Sequence, residues 1–100
     1  MGLDNIWIEP DGKTLKPVTF DPPLRLTVGY FTDPANSFRG KCYAEFVEWA
    51  TGGVDLYADL DNATVRRVAT ELEAFLPHAT DLARTFRAYG NAGYRLVAWF

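Results

Sequence analysis

The apolar residues between Asp61 and Pro77 recur every three or four positions, a spacing that places them on one side of an α-helix. This stripe consists of Val65, Val68, Ala69, Leu72, Phe75 and Leu76. Asp61 or Asn62 is a suitable cap for the first turn, and Pro77 stops the pattern because it cannot continue the helical hydrogen bonds. The segment therefore predicts an amphipathic helix.

Two further segments share this periodicity. The first runs from Phe38 to Thr51, with Ser37 or Asn36 as its cap and Gly52-Gly53 at its end. Its apolar stripe consists of Phe38, Cys42, Phe46 and Trp49, widened by Tyr43, Val47 and Ala50. The second is a shorter helix whose apolar residues are Leu82, Ala83, Phe86 and Tyr89, capped by Thr80 and closed by Gly90.

The first third of the chain is typical of strands. Residues 3–9 contain Ile6-Trp7-Ile8 and lead into a turn signal at Pro10-Asp11-Gly12-Lys13. Residues 14–20 are predicted to return as an edge strand, since Pro17 has no backbone donor. Residues 24–31 alternate at period two and predict a third strand.

Two more extended pieces follow later in the chain. Residues 54–58 are predicted as a short one. Residues 94–100 predict the last strand, and we expect it to lie inside a sheet because both of its faces are apolar apart from Arg95.

This order of elements predicts an α+β fold, with a small mixed or antiparallel sheet and about three helices packed on one face. The chain has 100 residues, of which 48% are hydrophobic and 15% aromatic. That length suits a single domain, 1–100, and the composition is sufficient for a packed interior.

The charge argues against a nucleic-acid partner. The net charge is −3, and phosphate binding needs clustered Lys and Arg. Residues 1–61 hold five basic and ten acidic groups, whereas residues 62–100 hold five arginines and three acids. A split of this kind can give the surface an acidic and a basic side.

Targeting signals are not visible, so we expect a cytoplasmic protein without membrane association. The N-terminus lacks a basic stretch followed by an apolar core, and no apolar run is long enough to span a bilayer. The single cysteine, Cys42, excludes an internal disulfide and is expected to be buried and inert in its helical stripe.

Few residues point to catalysis or to a metal. One His and one Cys do not make a zinc site, and the loop acids Asp55, Asp59 and Asp61 lack the Gly and Glu of a calcium loop. His78 has no nucleophile at a readable spacing. We therefore expect no cofactor, no metal and no enzymatic activity.

The segment Ser37-Phe38-Arg39-Gly40-Lys41 offers a possible anion site. If a helix begins here, its free backbone N–H groups lie beside two cations, a combination that binds phosphate or carboxylate. The alternative interpretation is a capped helix whose basic side chains offset nearby acids. Ser37, Arg39 and Lys41 are the candidate anion-binding residues.

Arginines and aromatics suggest a protein-binding surface instead. The candidate partner-binding cations are Arg66, Arg67, Arg84, Arg87, Arg39 and Lys41. The chain also has more aromatics than a small core readily hides, and Trp and Tyr are enriched at binding hot spots. Candidates for exposure are Trp7, Tyr30, Phe31, Tyr57, Trp99 and Phe100.

Several short motifs resemble a group of small proteins of phages, actinobacteria and haloarchaea. They are the opening Gly2-Leu3-Asp4-Asn5-Ile6-Trp7, the central Ser37–Lys41 segment, and Leu82-Ala83-Arg84-Thr85-Phe86-Arg87 with Ala92-Gly93-Tyr94 and Trp99. The resemblance implies no catalytic residue. It implies a setting, that of accessory proteins on viral or mobile genomes, which often bind and inhibit a host machine.

Three functional hypotheses follow. The first is a phage-type accessory protein that binds and inhibits a host protein or complex, with a defence system such as CRISPR as one class of target. The second is a domain that binds a small ligand or nucleotide at Ser37–Lys41. The third is a structural protein that forms oligomers, such as a homodimer, through its apolar C-terminal strand.

Overall fold

The computed structural model of the chain describes residues 2–12, 18–27 and 37–100. Within these residues it contains a three-stranded antiparallel sheet and three α-helices. In chain order they are β1 (Asp4–Ile8), β2 (Ser37–Phe38), α1 (Ala44–Thr51), α2 (Asn62–Glu73), α3 (Thr80–Asn91) and β3 (Arg95–Trp99). The predicted α+β class, with a small antiparallel sheet and three helices, is confirmed.

Strand β1 lies in the middle of the sheet, in the order β2-β1-β3. The prediction that the last strand lies inside a sheet is wrong, because β3 is at the edge of the described sheet. Leu96 of β3 is buried in the core, while Trp99 remains 58% exposed. On the outer side of β3, Leu60 exchanges two backbone hydrogen bonds with Leu96.

Trp7, on β1, is at the centre of the core. It is fully buried, so its predicted place on a partner surface is wrong. Its ring stacks on Tyr89 with 4.6 Å between centroids, and its edge meets Phe86 at 5.1 Å. A tryptophan ring buries a large apolar area, so these contacts fix helix α3 against the sheet.

Helices α2 and α3 pack closely around Gly90. A Cβ at this position would lie 2.9 Å from Arg66 Cγ, so the close approach of the two helices requires glycine. Gly90 was predicted to close the third helix, but α3 continues to Asn91. Thr80 was predicted to cap α3, yet the cap position is Ala79 and no side chain caps the helix.

Two predicted strands are wrong where the structure describes them. Residues 24–27 are not in a strand, because the N–H groups of Arg25 and Thr27 bond to side chains, Asp81 Oδ2 and Tyr43 Oη. Residues 18–20 are likewise outside any strand. The remainder of both predictions, residues 14–17 and 28–31, lies outside the described residues, as do Tyr30 and Phe31.

Residues 54–58, predicted to be extended, contain a turn at Leu56-Tyr57. Asp55 Oδ1 accepts the backbone N–H of Tyr57 at 2.9 Å, a side-chain bond that favours a turn over a strand. None of the described helices combines the length and the apolar composition that a membrane-spanning helix requires.

Candidate functional site

Arg87, a candidate partner-binding residue, forms a two-pronged ion pair within the protein. Its Nε and Nη2 donate to the Glu73 carboxylate at 3.0 and 2.7 Å, and Nη2 also donates to Thr70 Oγ1 at 2.9 Å. These hydrogen bonds lower the pKa of the Glu73 carboxyl and raise the pKa of Arg87. The guanidinium therefore ties α3 to α2 instead of presenting a free charge.

Arg84 and Arg67 are also held by neighbouring groups. Arg84 pairs with Asp81 at 3.0 Å, donates to the Pro22 carbonyl and lies 5.7 Å from the centre of the Phe20 ring. These contacts of the guanidinium hold residues 20–22 against α3. Arg67 Nη2 donates to the Thr51 carbonyl at 2.8 Å, at the end of α1.

The predicted arginine surface is therefore not assembled as a row of free cations. Among the four arginines of α2 and α3, Arg66 is the one without an ion pair within the described residues. Whether these residues bind a partner remains a prediction. The contacts of Arg67, Arg84 and Arg87 assign these three a structural role, since a cation that is already paired gains less from a second acceptor.

The helix that was expected to begin at Phe38, after a cap at Ser37 or Asn36, begins at Ala44. Ser37 and Phe38 form strand β2, in which Ser37 pairs with Ile6 and is buried. A 3₁₀ turn, Gly40–Cys42, separates this strand from α1. The predicted helix start is thus wrong, and with it the premise that free helical N–H groups lie beside Arg39 and Lys41.

Arg39 and Lys41 also lie near acids. Arg39 Nε is 3.6 Å from Asp4 Oδ1, and Lys41 lines a shallow concavity together with Glu45, Glu48 and other residues of an acidic surface. Anion binding at Ser37, Arg39 and Lys41 remains a prediction, but both cations have a negative charge on the protein nearby. That proximity weakens attraction for a ligand anion.

Helix α1 carries the largest exposed aromatic side chain on any described helix. Trp49 is 67% exposed, although the sequence placed it in the apolar stripe. Val47, two residues earlier and about 200° around the helix, is the residue that enters the core. Cys42, predicted to be buried in the same stripe, is exposed because it lies in the 3₁₀ turn before α1.

The Trp49 ring rests on two half-buried rings. Its centroid is 4.9 Å from that of Phe75 and 6.1 Å from that of Phe46, and those two rings meet edge to face at 5.8 Å. Aromatic contacts at these distances are favourable. Trp49 is therefore held in place by α1 and by the turn after α2, while most of its surface faces solvent.

Helix α1 also carries two carboxylates close to Trp49 in the chain. Glu45 is four residues before Trp49, on the same side of α1, and Glu48 directly precedes it. Neither has an ion-pair partner in the part of the chain that the structure describes. Glu45 lines two concavities, one of about 410 Å³ with Cys42, Phe46 and Trp49, the other of about 310 Å³ that reaches Asp55 and Tyr57.

A second aromatic pair borders this surface. Tyr57 meets Phe100 edge to face at 5.5 Å, and both rings are exposed, as the sequence suggested for these two residues and for Trp99. We define the α1 face as Glu45, Phe46, Glu48, Trp49, Tyr57 and Phe75. Trp49, at the centre of this face, was not predicted to be exposed, although the spacing of Glu45 and Trp49 on one side of a helix was a signal for it.

A further concavity of about 390 Å³ lies between α1 and the start of α3, where His78 and Arg25 are among the lining residues. Its size is suitable for a small ligand. However, two of its polar groups are used within the protein: Tyr43 Oη accepts the Thr27 N–H, and the Asp81 carboxylate accepts the Arg25 N–H. Those two groups serve to hold residues 25–27 in place.

Comparison with protein-family models, curated proteins and solved structures finds no match for this chain. Across residues 2–12, 18–27 and 37–100, no three His, Cys, Asp or Glu side chains are grouped so that they could hold a metal ion.

Proposed function

We propose that this chain is a small accessory protein that binds a host protein or complex through its α1 face and inhibits it by occupying a surface. The observation that carries the proposal is the exposed Trp49 ring on a helix that neighbouring rings hold in place. Tryptophan is among the residue types enriched at the hot spots of protein interfaces, and a fixed ring loses little freedom on binding.

A protein partner suits this surface better than nucleic acid. Glu45 lines the same concavity as the ring, Glu48 lines the neighbouring one, and carboxylates repel phosphates. The shallow concavities admit side chains, and the aromatic floor supplies apolar area. Inhibition of a defence complex such as a CRISPR effector is one form of this activity, and the host cytoplasm, where an exposed thiol such as Cys42 stays reduced, is the proposed compartment.

The experiment that tests the proposal is affinity purification of the tagged protein from host lysate, with matched tryptophan variants. Trp49→Ala should reduce recovery of a stoichiometric partner at least tenfold. Trp99→Ala is the control, because Trp99 is similarly exposed but pairs with Asp4 on the sheet. A partner that is recovered equally by both variants, or no stoichiometric partner with the unaltered protein, would count against the proposal.

A further inference from the structure

The acids of α1 differ from those of the other two helices. Glu71, Glu73 and Asp81 each lie within ion-pair distance of an arginine. Glu45 and Glu48 have no such partner within the described residues. Lys41 lines the same concavity as both carboxylates but makes no ion pair with either, so the acidic charge on this surface is in excess.

This excess charge adjoins an aromatic surface that itself attracts cations. The face of a tryptophan ring is the strongest aromatic site for Arg and Lys, and arginine also stacks on it. Glu45, one turn before Trp49, adds a carboxylate acceptor on the same side of α1, and Glu48 adds a second one on the concavity that it shares with Glu45. A side chain with an apolar stem and a cationic head matches both components, since the stem packs on the ring and the head reaches the carboxylates.

We propose that the α1 face recognises an arginine- or lysine-bearing segment of its protein partner, with the cation over Trp49 and in reach of Glu45 and Glu48. This proposal depends on the proposed function, because it names the chemistry of the partner at the same surface. The concavities on either side of Glu45 accept neighbouring side chains of that segment, one toward Phe46 and the other toward Tyr57. Charge complementarity selects a basic segment over an acidic or purely apolar one.

Tryptophan fluorescence tests directly whether a basic peptide binds over Trp49. In a Trp99→Phe background the two remaining tryptophans are the buried Trp7 and the exposed Trp49, so a solvent-sensitive change reports on Trp49. Titration with tetra-arginine amide should give a saturable change, weakened by added salt. Tetraglutamate should give none, and Trp49→Phe in the same background should remove the response.

The charge requirement is tested with a matched pair of double variants. Glu45→Gln with Glu48→Gln should weaken tetra-arginine binding at least tenfold. Asp11→Asn with Asp21→Asn removes the same formal charge outside the α1 face. This control pair should change the affinity for tetra-arginine less than twofold. If both double variants weaken tetra-arginine binding equally, only the net charge of the protein matters and the proposal is overturned. If the Glu45 and Glu48 variant binds tetra-arginine as well as the unaltered protein, these carboxylates do not contribute and the proposal is likewise overturned.

The outcomes also separate this inference from the proposed function. If partner capture depends on Trp49 but not on Glu45 and Glu48, the protein-binding proposal stands and the basic-segment inference fails. If no partner is captured while tetra-arginine binds as described, the basic-segment chemistry stands and the host-inhibitor proposal fails. Circular dichroism of every variant should be unchanged, since all of the altered side chains are exposed.

Discussion

The side chain of Asn5, on the central strand, lies directly against the backbone of Gly40 in the turn before α1. A Cβ at position 40 would overlap with Asn5 Oδ1, so a larger residue fits there only if the buried Asn5 side chain moves. Asn5 itself is buried, and its Nδ2 donates to the Leu56 carbonyl at 2.9 Å. One amide thus connects the sheet with two loops that border the α1 face.

Gly40→Ala should therefore destabilise the protein by about 1–3 kcal/mol, the usual cost of forcing a methyl group into a packed site. Gly2→Ala is the control, because the nearest atom to its added Cβ is 4.0 Å away. Urea denaturation measures both. The double variant Asn5→Ala with Gly40→Ala should be destabilised by less than the sum of the two single variants, since Asn5→Ala removes the oxygen that the new methyl group would meet. Strictly additive losses in the free energy of unfolding would contradict this account.

Arg87→Ala should lower the free energy of unfolding by about 0.5–1 kcal/mol, as expected for a partly exposed ion pair between helices. The loss reflects the bonds to Glu73 and Thr70 that join α3 to α2. Arg66→Ala, which removes a cation without an ion pair in the described residues, should change stability less. If Arg87→Ala leaves the denaturation midpoint unchanged but abolishes partner capture, the arginine is a binding residue as the sequence suggested.

The stability of α2 should depend on pH through Asp61. A hydrogen bond with the Thr64 side chain, followed by the bond from the Thr64 N–H, lowers the pKa of this capping carboxyl. A carboxyl with a lowered folded pKa contributes stability above its unfolded pKa, about 3.9, and loses it as the pH falls through the folded value. Acidification from pH 5 to pH 2 should therefore weaken the native state.

Asp61→Asn provides the matched comparison, since asparagine caps helices without titrating. Its denaturation midpoint should fall less over the same pH range than that of the unaltered protein. Parallel pH profiles for the two proteins would show that Asp61 does not contribute to acid sensitivity.

Asp59 covers the outer edge of β3, where its Oδ1 accepts the Ala98 N–H at 2.9 Å. A carboxylate at an open strand edge discourages pairing with another chain. Asp59→Ala should therefore promote self-association through β3, seen by light scattering as growth in mass with concentration. Asp55→Ala, in the same loop but away from the edge, is the control; a monomeric Asp59→Ala protein at high concentration would contradict this role.

Local signals predicted the start of helix α2 and its cap, although the helix ends at Glu73 and does not continue to Leu76. Asp61 accepts the Thr64 N–H as an N-cap should, and Val65, Val68 and Leu72 are buried as their spacing indicated. The candidate site was predicted less well. Tyr57 was expected to be exposed and is, but Trp49 was assigned to a buried stripe, because apolar residues occupy most of the circumference of α1.

The sequence by itself determined the elements whose information is local: the fold class, the extended run around Trp7 and the amphipathic stripe of α2. Tertiary structure decided which side of α1 faces the core, since Val47 and Trp49 are both apolar and only packing into the core selects Val47. It also decided that Arg87 meets Glu73 across two helices. Such choices depend on contacts between residues far apart in the chain, which periodicity and capping signals do not encode.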